Sequence, residues 1–478
     1  MVHVVANHGI SYNDCAAGIH ELGWAQREML SYIQKRGPEG LLYVTKFGSL
    51  EGTGAAEVDV DVDVARVLEA IRLTVESNDA LRTRYISEGG EWRQEIMGSG
   101  HVLVTEYSSP SPDLNLAAAA AFIGPLSPEP GEVPLRVAIV TFEGRPTHVY
   151  FAIHHASADN TGADIACREI CRRVLNSKVP ASTAWQPLQI VEYERSTAGR
   201  TFAERSDKYH RVRIRESADR GVIPTDRRET PLREFQLKSP AVVVAAQQIA
   251  QRIKVSALNV LLSSYCAALS ARLSRDSFPL ALTSGNRVNP NLQLSVAQLA
   301  QPSSMSIDVA VPTFDELCRR TSDAALLAYR YGMHDPELLE KSFSEVSAER
   351  GEEVFFPYLV NLTTLGILDN LDPEARTSQQ NQIEGNLRVQ PLELRRMLDR
   401  TVCDAKDPED GVRFSDLTLD LYRFSSEADL RLRTNLSFFT DADVRNLLIN
   451  TERLLVEVSC DGSKNDMRRL VELCSTSS

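Results

Sequence analysis

No stretch of about 18 uninterrupted apolar residues occurs in the 478-residue chain, so no segment has the length and apolarity of a membrane-spanning helix. Basic residues are in deficit. Against 65 Asp and Glu stand 52 Lys and Arg, a net charge of −13. A nucleic-acid partner would favour a basic face, so that partner class is not expected. The opening residues MVHVVANHGISYNDC lack the basic-then-apolar order of a secretory leader. The eight cysteines, at 15, 167, 171, 266, 318, 403, 460 and 474, form no CxxC. Reduced, mostly buried thiols in a cytoplasmic protein are therefore expected, rather than a disulfide framework. Cys167 and Cys171 could share a helix face, but a protein zinc site takes three or four ligands, so no metal is expected. HExxH, a GxSxG elbow, a glycine-rich phosphate loop and a recognisable cysteine-protease signature are all missing, and so are internal repeats.

What is present is the composition of an ordinary soluble globular protein, 43% hydrophobic and 24% charged. The length suits two lobes. Residues 20–35 carry apolar residues at helical spacing, and LLYVTKFGSLEG reads as a strand. Asp59, Asp61 and Asp63 form a carboxylate comb, but a calcium loop also needs a turn glycine and a bidentate acid at set spacing. A period-two strand feeding a helix at about 64–78, with Asp63 as its N-cap, explains the comb better. ALRTRYI and EWRQEIM read as a strand pair, and the alanine run at 117–121 as a helix. PLRVAIVTFEGRPTHVYFAIHH reads as two strands joined at 143–146, followed by a helix from Thr161. The proline-bearing stretch 177–189 is read as the crossover between lobes, which gives an N-terminal lobe 1–178 and a C-terminal lobe 179–478.

Residues 200–234 are locally basic, with Arg205, Lys208, Arg211, Arg213, Arg215, Arg220, Arg227, Arg228 and Arg233. The plain reading is a solvated helix laced with ion pairs. Beyond 240 come a helical pair, a strand in FPLALTSGNRV, a helix near 314–331 and the apolar run VFFPYLVNL. A flexible segment at 368–384, two strands within 415–437 and a closing amphipathic helix with Asp441 or Asp443 near its start complete the chain. Strands and helices mix in both halves, an α+β organisation.

The stretch HHASADN, residues 154–160, sits where the strand meets the helix, in a chain with nine histidines. On a strand His154 and His155 would face opposite sides, which disfavours a two-histidine metal site. A histidine beside the unpaired N–H groups of a helix N-terminus offers acyl transfer both a base and an oxyanion cradle. With no serine or cysteine nucleophile in evidence, direct transfer between two substrates is favoured. A polar strand end with a purely structural role remains the alternative.

HHASADN resembles the HHxxxDG signature of nonribosomal peptide condensation domains, in the chloramphenicol acetyltransferase-like superfamily. ELGWAQREML resembles that family's N-terminal helix motif, and SNDALRTRY its "HEALRTRF" segment. PLRVAIV resembles the strand before the histidine strand, SGNRVNP a Gly-Arg motif, VNL at 360–362 an Asn-containing strand, and LRLRTNLSFF the C-terminal strand. The resemblance runs from about residue 20 to 458. It implies two chloramphenicol acetyltransferase-like lobes in a V with a central tunnel, and a free-standing condensation enzyme in specialised-metabolite, antibiotic-type biosynthesis. It implies His155 as base or positioning residue, His154 as support and Asp159 as structural. Arg287 is the implied ion-pair partner of Asp159, with Arg82 or Arg84 as alternatives. The donor would be an acyl thioester on the phosphopantetheine arm of an acyl or peptidyl carrier protein, the acceptor a small-molecule amine or hydroxyl, and no cofactor would be bound. Arg227 and Arg228 are candidates for docking an acidic carrier. Two other readings share the motif: a coenzyme A-dependent O- or N-acyltransferase, although no DFGWG is present, and a non-catalytic recruiting module. Asn160 stands at the family's glycine, and SVAQLAQPSSMSI lacks its "GxFxN" pattern.

Overall fold

The β-branched and aromatic runs LRVAIVTF and RPTHVYFAIH form an antiparallel hairpin, β7 (Leu135–Phe142) and β8 (Arg145–His154) counted from the N-terminus. Its two-residue turn places Glu143 at φ 49° and Gly144 at φ 77°, the left-handed pair that matches the twist of a hairpin. The structure, a computed structural model, describes residues 2–36, 43–50, 62–111, 133, 135–176, 179–180, 182–219, 229–362, 373–406, 415–436, 439–462 and 465–475. The alanine run at 117–121, Asp59 and Asp61 lie outside them.

The hairpin belongs to a five-stranded sheet in the order β1 (His3–Tyr12), β6 (Gly100–Ser109), β7, β8, β3 (Tyr43–Ser49), in which β6 and β7 run parallel and the other pairs antiparallel. A small sheet orders β2 (Gly18–His20), β5 (Glu91–Ile96) and β4 (Thr83–Glu88). The Val64–Ser77 helix starts at Asp63, whose carboxylate accepts the Arg66 N–H at 2.8 Å. It packs against the Asn160–Leu175 helix, which also lies on β3.

A seven-stranded sheet orders β11 (Gln301–Asp308), β10 (Ser277–Ser284), β12 (Tyr358–Asn361), β14 (Leu417–Phe424), β15 (Ala428–Leu436), β9 (Glu229–Ser239) and β13 (Val402–Lys406). Period-two alternation buries Leu417, Leu419, Leu421, Leu430 and Leu432 in one core with the Pro240–Ile253, Ala257–Leu273 and Asp441–Cys460 helices. Each such leucine contributes about 1.5–3 kcal/mol of transfer free energy. No single helix among the described residues is long and apolar enough to cross a membrane. The most apolar pair, Pro240–Ile253 and Ala257–Leu273, is bent by 108° and largely buried in this core.

The chain divides into two compact units, Met1–Phe202 with Asn286–Ala300, and Ala203–Gly285 with Gln301–Ser478. The border thus falls later than the 178/179 expected from the prolines, and one segment from the second half of the sequence returns to the first unit. The reason is a shared apolar cluster. Ile190, on the Pro187–Arg195 helix, buries with Leu292, Ala297 and Leu299, with Trp185 packed against them. The expected flexible stretch 368–384 is instead partly helical, Pro373–Leu387. Its described side chains face mostly solvent, so it carries no apolar periodicity to read. It is tied down by polar contacts, Asn386 donating to Gln247 at 2.9 Å and Gln248 donating to the Asn386 carbonyl at 2.9 Å. The closing helix starts at Thr440, which shares a capping box with Asp443, and a further helix, Met467–Ser475, follows it.

In the second unit His210, on the Thr197–Asp219 helix, is fully buried. It bonds to the Ser304 hydroxyl at 2.9 Å and the Tyr331 carbonyl at 3.0 Å, with the His334 ring 5.0 Å away. Burial, with His334 beside it, pushes its pKa down to about 3. The folded state therefore keeps His210 neutral where the unfolded chain takes up a proton. Its contribution is complete above pH ~6.5 and is lost as pH falls below that value. Stability should fall by on the order of 1 kcal/mol per pH unit below about 6.5. Denaturant titrations from pH 7 to 5 should show that slope in the wild type and a shallower one in His210→Gln. Equal slopes would contradict the assignment.

Candidate active site

β8 ends at His154, and the chain turns through His155, Ala156 and Ser157 before the Asn160–Leu175 helix begins. The two histidines are therefore not two positions of one strand: His154 closes the strand and His155 opens the turn. The His154 carbonyl accepts the N–H groups of Ser157 at 2.8 Å and Ala158 at 3.3 Å. Its ring Nδ1 accepts the Ala156 N–H at 3.1 Å, which assigns the proton of the neutral ring to Nε2. Burial, with His155 adjacent, pushes the His154 pKa down to about 4, so at neutral pH this ring is an uncharged brace of the turn.

Asp159 is the N-cap of the helix, its Oδ1 accepting the Gly162 N–H at 2.7 Å. Arg287 donates to both carboxylate oxygens, at 2.7 and 2.9 Å, and the Leu299 and Ala300 N–H groups donate to Oδ2 at 3.1 and 3.0 Å. In return the Asp159 N–H donates to the Ala297 carbonyl at 3.3 Å. Both charged side chains are almost wholly buried, 3% and 2% exposed. Burial alone would raise the pKa of Asp159, but the Arg287 guanidinium and the backbone N–H donors outweigh it and hold the carboxyl below its ordinary value. The returning segment comes close at Gly162. A Cβ there would lie 2.8 Å from the Ala297 carbonyl oxygen, too near for any side chain.

The N–H groups of Ala156, Ser157, Ala158, Asp159 and Gly162 all have partners within the protein. The expected oxyanion cradle at the helix N-terminus is therefore not provided by these five groups, because His154, the Ala297 carbonyl and the Asp159 carboxylate take up their donors. Asn160 is the first residue of the helix, exposed to solvent and not among the residues with positive φ. The family glycine's backbone freedom is not needed here, which is how asparagine fits the position.

His155 is buried, and burial is the first cause of its lowered pKa. Its own carbonyl, the Asp159 charge and the Gln298 side chain oppose that shift without cancelling it. At neutral pH the ring is an unprotonated base. Residues that meet the turn at Ser157 and His154 were not singled out from the sequence. The Tyr85 hydroxyl and the Ser157 hydroxyl lie 3.2 Å apart, Gln26 donates to the Tyr85 oxygen at 3.3 Å, and the Tyr85 ring stands 5.3 Å from that of His154. Gln26 and Tyr85 belong to GWAQREML and SNDALRTRY, so the signal was in hand, but only the fold brings the two segments to the turn.

The sequence profile of the family described as Condensation domain matches residues 48–395. The chain belongs to the condensation domain family. Condensation domains are acyl-transfer, amide-forming catalysts in general. Tyrocidine synthase 2 of Brevibacillus parabrevis is 22% identical over 360 residues, 73% of this chain but 10% of the synthase. The probable non-canonical nonribosomal peptide synthetase CymA of Salinispora arenicola is 23% identical over 295 residues, 57% of this chain and 4% of that protein. The chain therefore spans a small fraction of these curated relatives. SgcC5 of Streptomyces globisporus matches in structure with a TM-score of 0.66 at 14% identity, over 93% of this chain and 99% of that one. The starter condensation domain of rhizomide synthetase RzmA, solved in complex with C8-CoA, matches at 0.64 and 14%, over 94% and 96%. The fold is thus the chloramphenicol acetyltransferase-like fold of condensation domains.

Within this condensation domain the alternative partners for Asp159 are engaged elsewhere. Arg82 donates to the carbonyls of Val75, Ala16 and Met97 and pairs with Asp79 at 2.5 Å, and Arg84 pairs with Glu95 at 2.5 Å. Arg287, expected from the second lobe, clusters with the first unit. Arg227 and Arg228 lie outside the described residues. Of the other basic residues, Arg211 pairs with Glu345, Arg213 with Glu216 at 2.5 Å and Arg215 with Glu349 at 3.0 Å, the ion-pair lacing expected of a solvated helix. Among the described residues no three His, Cys, Asp or Glu side chains gather closely enough to hold a metal ion. Breaking a buried pair by removing one partner costs about 3–5 kcal/mol. Asp159→Asn and Arg287→Met should each lose about that much in denaturant unfolding, and the double variant should lose at least ~1 kcal/mol less than their sum. Strict additivity would show that the two charges do not depend on each other.

Proposed function

We propose that this condensation domain transfers an acyl group from a phosphopantetheine thioester on a carrier protein to an amine or hydroxyl acceptor, with His155 as base or positioning residue. The observation that carries the proposal is the state of His155: a buried, neutral imidazole in a turn fixed on one side by His154 and on the other by the Asp159–Arg287 pair. The acceptor heteroatom attacks the thioester carbonyl while His155 holds the proton it loses. Collapse of the tetrahedral adduct breaks the C–S bond, and the held proton passes to the departing thiolate. General-base assistance is worth roughly 10²–10⁴-fold, and orientation of the two substrates can contribute more. The thioester arm is substrate, supplied by the donor. Carrier docking at Arg227 and Arg228 is part of the same proposal, supported by local positive charge in an acidic chain.

A second reading keeps the histidine and replaces the carrier by coenzyme A. What favours it is the structural likeness to a starter condensation domain crystallised with C8-CoA. The same acyl group offered on a carrier protein and on coenzyme A separates the two. The proposal expects turnover from the carrier and a loss of about 10²-fold or more in His155→Ala. Turnover from coenzyme A alone would establish the second reading. Turnover indifferent to His155→Ala would remove the histidine from either, and none from any donor would leave a recruiting module.

A further inference from the structure

Tyr85, on β4, touches the histidine turn on both sides of His155. Its ring stands 5.3 Å from that of His154, and its hydroxyl lies 3.2 Å from the Ser157 hydroxyl. Neighbouring amides give the second contact a direction. Oε1 of Gln26, on the Trp24–Arg36 helix, accepts the Gly23 N–H at 2.8 Å, which fixes the orientation of that side chain. Its Nε2 then donates to Gln94 Oε1 at 3.2 Å and to the Tyr85 oxygen at 3.3 Å. Gln94, on β5, is fixed in turn by its Nε2, which donates to the Glu21 carbonyl at 2.7 Å. The Tyr85 oxygen therefore accepts from Gln26, and its own proton is left for Ser157 Oγ. Gln26, Gln94 and Ser157 are all buried, where a polar atom without its partner is costly. Burial raises the pKa of Tyr85, and the bonds to Ser157 and Gln26 oppose that shift without cancelling it, so the phenol keeps the proton it donates.

We propose that Tyr85 is a positioning residue for His155: its ring and hydroxyl hold the two flanks of the turn and through them set where the imidazole stands. The Ser157 N–H already bonds back to the His154 carbonyl at 2.8 Å, so both ends of the short span that carries His155 are tied to each other and to Tyr85. The family segment that SNDALRTRY resembles ends in phenylalanine, which has no hydroxyl, so the bond to Ser157 is not supplied by that resemblance. The catalytic part of the inference rests on the acyl-transfer reading above; the effect on the surroundings of the ring does not.

Tyr85→Phe removes the hydroxyl and keeps the ring, and Ser157→Ala removes the other end of the same bond with a smaller change. In acyl-transfer assays at a temperature where every variant is folded, each should lower kcat about tenfold or more with KM little changed, because a displaced imidazole impairs chemistry more than binding. The double variant should lose no more than the larger single loss, since both substitutions delete one bond. NMR titration of the His155 Cε1 proton, assigned with His155→Gln, reads the ring without any substrate. A loosened turn admits water, so the midpoint should rise toward ~6.5 in Tyr85→Phe and in Ser157→Ala. A merely structural bond would lower the unfolding midpoint and leave kcat and the His155 titration as they are in the wild type. That result, or full additivity of the two substitutions in kcat, would overturn the inference. The expected titrations without acyl transfer by the wild type would overturn the reading of function and leave the positioning role standing.

Discussion

A carboxylate and a guanidinium that are both almost fully withdrawn from water determine how the rest of this site is built. Taking each ion out of water costs several kcal/mol, and one contact between them does not recover it unless the remaining lone pairs are also satisfied. Asp159 meets that condition with five hydrogen bonds, two from Arg287 and three from the N–H groups of Gly162, Leu299 and Ala300. The same five bonds start a helix, fix the end of the histidine turn and hold the segment Asn286–Ala300 against the first unit. Gly162 allows the approach, because any side chain there would strike the Ala297 carbonyl. A helix cap, a segment docking and an ion pair are thus one interaction.

The two adjacent histidines acquire different work from this arrangement. His154 uses Nδ1 to hold the Ala156 N–H and its carbonyl to hold the next two residues, so it is occupied by the turn it closes. His155 is kept neutral by burial, which suits the base or positioning role proposed for it. Because the backbone donors of the turn are consumed internally, charge developing on a substrate oxygen has to be met from elsewhere than residues 156–159.

Much of this was legible in the sequence. The strand and the helix follow from β-branched runs and helical periodicity, and the motif residues from the resemblance to condensation domains; the turn that takes His155 off the strand did not. Asp63 as a cap was readable because an acid directly precedes an amphipathic repeat. The contribution of residues 286–300 to the first unit was not, since it depends on Ile190 meeting Leu292, Ala297 and Leu299 across long sequence separations. The Pro373–Leu387 helix escaped notice because its described side chains face mostly solvent and leave no apolar period. The fate of Asn160 needed the backbone: a departure from a family glycine looks serious until the position proves to be an exposed, right-handed first turn of helix. Gln26 and Tyr85 stood in quoted segments, but only folding places them beside Ser157.

The central claim is that His155, the proposed base or positioning residue, is kept uncharged by its surroundings in a turn that Asp159 and Arg287 fix. Titration of the His155 Cε1 proton in the full chain, followed by NMR from pH 8 downward, tests it most directly. The account predicts a midpoint clearly below ~6.5, the value of a free histidine side chain. A midpoint at or above that value would contradict it.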